Sequence, residues 1–171
     1  SSAASDVYKR QLLVVLLAAV VFLQAVGFGF VWDDNVLILE NGLTHSLANV
    51  PQFFTMDLWA ATPTHHDAPY YRPLVLVDLT LDRALLGLSP AVHHLHSLLW
   101  HLAAVWLAAG LLERVLGDAR AAAVGAAVFA LHPVQIEPVV FISARNDLMA
   151  VAFLLGACLL YTSPSPRDNR V

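Results

Sequence analysis

Hydrophobic positions fall into long, nearly unbroken blocks rather than short alternating runs. Leu12–Val31 is twenty residues without a charge, with Gln24 its one strongly polar side chain. As a helix it rises about 30 Å, the thickness of a bilayer's hydrocarbon core, which predicts a first membrane span over 12–31. A signal peptide would have an apolar region of only about 7–15 residues and a small-residue cleavage site after it; neither fits here. Val92–Leu112 holds four histidines but no formal charge and predicts a second span over 92–112. Ala121–Leu131 is a shorter apolar block, about 17 Å as a helix. It predicts a short or tilted span over 119–132, extended by snorkelling of Arg120 and ended by His132-Pro133. A final span is expected over 138–160, with Arg145, Asn146 and Asp147 in its first third.

Between the first two spans the character changes. Residues 32–91 mix Asp33, Asp34, Glu40, Asp57 and Asp67 with Trp32, Phe53, Phe54, Trp59, Tyr70 and Tyr71. Aromatics among polar groups suit the headgroup level of a bilayer, and Pro51, Pro63 and Pro69 break any long element. A structured loop of short interfacial helices is expected. Pro73–Leu88 is the ambiguous part. Val77–Asp82 alternates like a strand, while Asp78 and Asp82 at i, i+4 mark one face of a helix. An unpaired strand at a membrane leaves backbone groups unsatisfied, so an interfacial helix is expected. The fold class is therefore all-α, a polytopic helical membrane protein with a structured loop after its first span.

Composition agrees. The chain of 171 residues is 58% hydrophobic and 13% charged, with mean hydropathy +0.67, against about 45–50% and about 25% for soluble domains. A net charge of −4 argues against binding nucleic acid, and the single Cys158 gives no metal or disulfide pattern. Both ends switch abruptly to small polar and charged residues. SSAASDVYKRQ (1–11) and the segment 161–171, within LLYTSPSPRDNRV, resemble translated sequencing-adapter read-through and are set aside as artefactual tails. Setting them aside leaves five cations against eleven acids and removes Lys9 and Arg10 as topology signals. The core, 12–160, then reads as an internal piece of a larger protein. Of its loops, Glu113–Arg120 holds two arginines in eight residues, and 32–91 holds two in sixty against seven acids. The arginine-dense loop is expected on the cytoplasmic side, which puts the acidic loop, the HPVQIEP turn and the start of the last span on the outer face.

Four features carry chemistry. Asp33-Asp34 follows the first span directly; such a carboxylate suits a general base toward a hydroxyl or a ligand for a divalent metal, or it simply stops a helix in solvent. Arg72, in Tyr70-Tyr71-Arg72-Pro73, suits a phosphate or carboxylate, or an internal ion pair with one of the loop acids. His132 and Glu137 sit in the HPVQIEP turn. Arg145 would lie about 10 Å into a helix starting at Pro138, a depth at which charges face polar cavities and find partners; Asp147, about 200° away on the wheel, does not simply neutralise it. His93, His94, His96 and His101 read as interfacial hydrogen-bonding groups, because a bis-histidine haem needs a ligand from a second helix and no second span supplies one.

The order FVWDDN, YYRPL, PAVHHLHSLLWHL and AAVFALHPVQIEPVVFISARNDLMAVAFLL resembles the N-terminal part of the transmembrane and tetratricopeptide-repeat O-mannosyltransferases, within the multi-span C-type glycosyltransferases. Each motif alone is weak; the first span and these four in order over Leu12–Leu160 are fairly specific. The resemblance implies transfer of a sugar, mannose being one candidate, from a polyprenyl-phosphate donor to a protein or glycan acceptor at the outer face. It implies a catalytic acid at Asp33 or Asp34, with a slight preference for Asp34. Arg72, with Tyr71 beside it, and Arg145 would hold the lipid phosphate, and His132, Glu137 and Asp147 would line the same cavity. A divalent metal is left open. Abundant Ala and Leu with a single Lys suggest a GC-rich bacterial genome, hence an inner membrane. Competing readings are a non-catalytic scaffold or transporter, and a degenerate relative that binds glycolipid without chemistry.

Overall fold

The computed structural model describes residues 2–63 and 70–162, with side chains from residue 6 onward. Asp67 and Pro69 of the loop, and 163–171 of the C-terminal tail, lie outside the described residues. Helix α1 (Ser2–Phe22) continues as a 3-10 turn (Leu23–Gly27), and two short 3-10 turns and α2 (Val50–Phe53) follow in the loop. Then come α3 (Pro73–Leu86), α4 (Pro90–Leu116), α5 (Ala119–Leu131), α6 (Ile136–Val140) and α7 (Arg145–Tyr161). Among the described residues there is no strand, and Pro73–Leu86 is helical. The all-α expectation holds.

Three described helices are long and apolar enough to cross a membrane, Asp6–Gly27, Pro90–Leu116 and Ile142–Tyr161. Ala119–Leu131 with Pro133–Val140 forms a fourth candidate, bent by 47°. Two boundaries move from expectation. The first helix includes 2–11, and gives way near Gly27 and Gly29, poor helix formers, so Phe28–Val31 lie beyond it. The last helix starts at Arg145, not Pro138. Chain 136–144 is instead a five-residue helix, an extended Phe141 and a 3-10 turn (Ile142–Ala144).

Helix α4 is the central post, packed against α1, α5 and α7. Where α1, α4 and α5 meet, Ala18, Ala109, Ala126 and Ala130 are buried with Val14 and Val105. Small side chains let helix backbones approach closely, the packing that membranes reward. On the outside, Val20, Val124 and Leu154 are 64–74% exposed, an apolar surface suited to lipid. The loop has its own core: Leu37, Ile38, Phe53, Leu58 and Trp59 close over Val75, Leu76 and Leu79 of α3 and over Ile142 and Met149. It is structured, as expected, but periodicity alone could not reveal this cluster.

The histidines on α4 are a correction: His93, His94 and His101 are fully buried between helices, not interfacial. Each uses one ring nitrogen on a backbone carbonyl. His101 Nε2 meets Ala130 O at 3.0 Å, His94 Nε2 meets Gly29 O at 3.4 Å and His93 Nδ1 meets Ser89 O at 3.0 Å. Ala130 lies in the last turn of α5, where carbonyls lack an i+4 donor. At the other end of α4, Arg114 donates to Leu159 O at 2.6 Å, and Asp118 caps α5 by accepting from the N–H groups of Arg120 and Ala121 at 2.7 and 2.9 Å. Those bonds from Ala121 and Arg120 lower the Asp118 pKa. The arginine-bearing turn and the acidic loop therefore occupy opposite ends of the bundle.

Candidate functional site

The site is built where the first helix empties into the loop. Residues 31–34 form a tight turn closed from both sides: Asp34 N–H donates to Val31 O at 2.9 Å, and Val31 N–H donates to Asp34 Oδ2 at 3.2 Å. Inside it Trp32 takes φ 46°, a left-handed conformation that bulky L-residues rarely adopt. A π-helical turn, Asn35–Glu40, follows at once; such turns are rare and recur at functional sites. The two adjacent carboxylates part company here. Asp34 is fully buried, and its Oδ1 accepts from the backbone N–H (2.8 Å) and the hydroxyl (2.6 Å) of Ser143. Asp33 is half-buried and faces a cleft.

That cleft, about 220 Å³, is lined by Asp33, Trp59, Arg72, Glu137, Phe141, Ser143, Asn146 and Asp147 among others. Four of the residues singled out from sequence thus converge from three separate segments. Arg72, half-buried at the start of α3, donates to Asn146 Oδ1 at 3.3 Å and lies over the Tyr70 ring at 4.9 Å. Among the described residues no carboxylate is within ion-pair distance of it. Tyr71 is exposed, donates to Phe54 O at 3.1 Å and lines a neighbouring apolar cleft with Arg72 and Asn146. His132 is elsewhere. It is exposed, and its Nδ1 accepts from Val134 N–H at 3.1 Å, capping the turn after α5.

Arg145 is placed differently from expectation. It is the first residue of α7 rather than two turns inside a helix, and it is fully buried beneath the cleft without lining it. Its Nη1 is 2.6 Å from Asp78 Oδ2 and 2.6 Å from Asp82 Oδ2. Nη2 donates to His93 O at 2.7 Å, and Nε to Ser97 Oγ at 3.0 Å. His96 and Asp82 are hydrogen-bonded, and Trp100 Nε1 donates to Asp78 Oδ1 at 3.3 Å. Asp78 and Asp82, read from sequence only as a helix face, are the partners that a buried arginine requires. The signal was there in combination: two acids at i, i+4 and one charge too deep for solvent.

Burial pushes the Asp82 carboxyl up, but the hydrogen bond from His96 and the charge of Arg145 outweigh it and hold it below the ordinary value. A carboxylate lowered in the folded state adds stability above its unfolded pKa and loses it as pH falls through the folded one. The detergent-solubilised protein is therefore expected to lose stability below about pH 4, and Asp82→Asn to flatten that acid limb while lowering stability at neutral pH, read as thermal midpoint against pH.

Asp78, Asp82 and His96 are the one described group whose ligand atoms lie within 4.8 Å of one another, the spacing of a metal site. The Arg145 guanidinium already holds both carboxylates, so the group does not fit a resident cation. The carboxylates of the cleft form no such triad among the described residues.

No protein-family model and no solved structure matches the chain. Curated sequences do. The chain is 31% identical over 166 residues to protein O-mannosyl-transferase TMTC3 of Mus musculus, covering 96% of this chain and 18% of that protein. It is 31% identical over 148 residues to TMTC2 of Homo sapiens (85% and 18%) and 30% identical over 147 residues to Tmtc1 of Drosophila melanogaster (85% and 17%). The mouse match, at 96% of the chain, extends into the terminal segments set aside above. Spanning about a fifth of their length, and matching them along nearly all of its own, the chain is a sequence relative of the TMTC protein O-mannosyl-transferases.

Proposed function

We propose that the protein carrying this chain is a membrane glycosyltransferase that moves a mannosyl group from a polyprenyl-phosphate donor to a hydroxyl of a protein or glycan acceptor. The observation behind this is the convergence of a carboxylate and an arginine with no described acidic partner, Asp33 and Arg72, on one cleft where the first span meets the loop. In this reading the acceptor oxygen attacks the anomeric carbon as Asp33 takes its proton. The bond from that carbon to the phosphate oxygen breaks, and the phosphate leaves with its electron pair toward Arg72. The sequence preference for Asp34 gives way to Asp33, because the Asp34 carboxylate is enclosed and already accepts three hydrogen bonds. Arg145 supports the floor instead of gripping phosphate. Glu137, Asp147 and Tyr71 border the acceptor and donor approaches, and no step is routed through a metal.

The two ends of the bundle carry opposite charge patterns, which supports an outward site and an arginine-rich cytoplasmic turn. An inner bacterial membrane remains the proposed location. Arg72→Ala is expected to raise the KM for the lipid-linked donor about tenfold or more, a charge-assisted contact being worth roughly 1.5–3 kcal/mol, with Arg72→Lys recovering part of it. The check is steady-state transfer from polyprenyl-phosphate mannose to a Ser/Thr peptide in membranes of the whole protein. Donor that binds but stays intact in wild type would favour a degenerate binding protein, and uptake of a labelled substrate with no donor consumed would favour a transporter.

A further inference from the structure

We propose that the α6–α7 junction is the ruler of the site: Ser143, through Asp34, positions the base, and Asn146 positions the cation. Asp34 then serves as a positioning residue. This rests on the reading of Asp33 as base and goes beyond it.

The geometry is a short chain of contacts. Asp33 is bonded covalently to Asp34, whose Oδ1 accepts from both donors of Ser143, 109 residues away. Three residues further on, Asn146 Oδ1 accepts from Arg72 Nη1. Two anchor points within one turn of chain thus tie the segment after α1 and the start of α3 to a common support. That support is rigid: Ile142 is fully buried in the loop core, and Arg145, between the anchors, is fixed by Asp78, Asp82, Ser97 and His93. The other end of the ruler is equally constrained. Asp34 closes the turn that holds Trp32 at φ 46°, a conformation that persists only where its surroundings over-determine it. Removing the Ser143 hydroxyl leaves Asp34 Oδ1 held by the Ser143 N–H alone and loosens that turn, and Asp33 with it. An ångström of misplacement costs about a hundredfold in rate when reacting groups must be aligned.

The two anchors make separable predictions. Ser143→Ala is expected to lower kcat about 10- to 100-fold with the donor KM within about twofold. Asn146→Ala is expected to raise the donor KM several-fold with a smaller loss of kcat. Ser143→Thr, which keeps the hydroxyl, is expected to recover most of the rate. Ser143→Cys keeps the volume but only a weak donor, and is expected to fold normally with an intermediate kcat, so the inference stays testable if the alanine variant is unstable. All rates are taken per folded enzyme, from the monodisperse fraction in detergent, with Asp33→Asn alongside. Destabilisation alone would reduce the folded amount and leave both constants unchanged. Unaltered kcat and KM in the Ser143 and Asn146 variants, with Asp33→Asn inactive, would overturn the ruler and leave the base standing. Asp33→Asn transferring at the wild-type rate would overturn the base, and the ruler with it.

Discussion

Asp33→Asn is expected to lower mannosyl transfer by about 10²- to 10⁴-fold, the range over which a positioned general base contributes, in a protein that still inserts and folds. The asparagine keeps the size and hydrogen-bonding shape of the side chain but cannot take a proton from the acceptor hydroxyl. Asp33 is only half-buried, and among the described residues no hydrogen bond of the fold runs through its carboxylate, so the substitution removes little structure. The loss should fall in kcat, with the donor KM close to wild type because Arg72 is untouched. Steady-state kinetics on purified membranes measure this directly. A fall in KM affinity with kcat intact would mean that Asp33 binds substrate and does no acid–base work.

Arg145→Leu is expected to unfold or severely destabilise the protein, by about 3–5 kcal/mol. The size follows from what is left behind. Two carboxylates, Asp78 and Asp82, 7% and 3% exposed, lose the cation that both contact at 2.6 Å, and the backbone carbonyl of His93 and the hydroxyl of Ser97 lose a donor. A loss of that size is a large part of a total stability of about 5–15 kcal/mol. Arg145→Lys should remain strongly destabilising, since an ammonium cannot reproduce the four-way fork. The measurement is the thermal midpoint and monodisperse yield in detergent, and an unchanged midpoint would show that the cluster contributes little. Replacing all three by apolar residues of similar volume is expected to be far milder than removing Arg145 alone, because the cost lies in stranded charge.

These two expectations also mark what the sequence made legible. Lipid-like blocks locate the spans because a bilayer demands about 20 apolar residues per helix. The same physics settled Pro73–Leu86 as helix over strand. The start of the last span was not legible. Pro138 reads naturally as a helix start, yet it lies inside the short α6, and the chain breaks at Phe141 before α7 begins at Arg145. The break matters because it brings Ser143 to Asp34. Nothing in spacing or periodicity announces a hydrogen bond across 109 residues, so spacing left Asp33 and Asp34 undistinguished and only the family resemblance leaned slightly to Asp34. Arg72 and Glu137 were legible as isolated polar groups beside spans, while their shared cleft with Asp147 depends on how α3 and the α6–α7 junction pack. His132 stood out by sequence for the same reason that it caps a turn: Pro133 ends the helix, and a side-chain acceptor is needed for the Val134 N–H.

Consumption of a lipid-linked sugar at the Asp33 cleft is followed by giving membranes that contain the whole protein polyprenyl-phosphate [³H]mannose and a Ser/Thr acceptor peptide, and by separating lipid from peptide label over time. Transfer of label to the peptide by wild type, with label remaining on lipid in the Asp33→Asn membranes, is the predicted result. Label that stays on lipid in both, or moves equally in both, would contradict it.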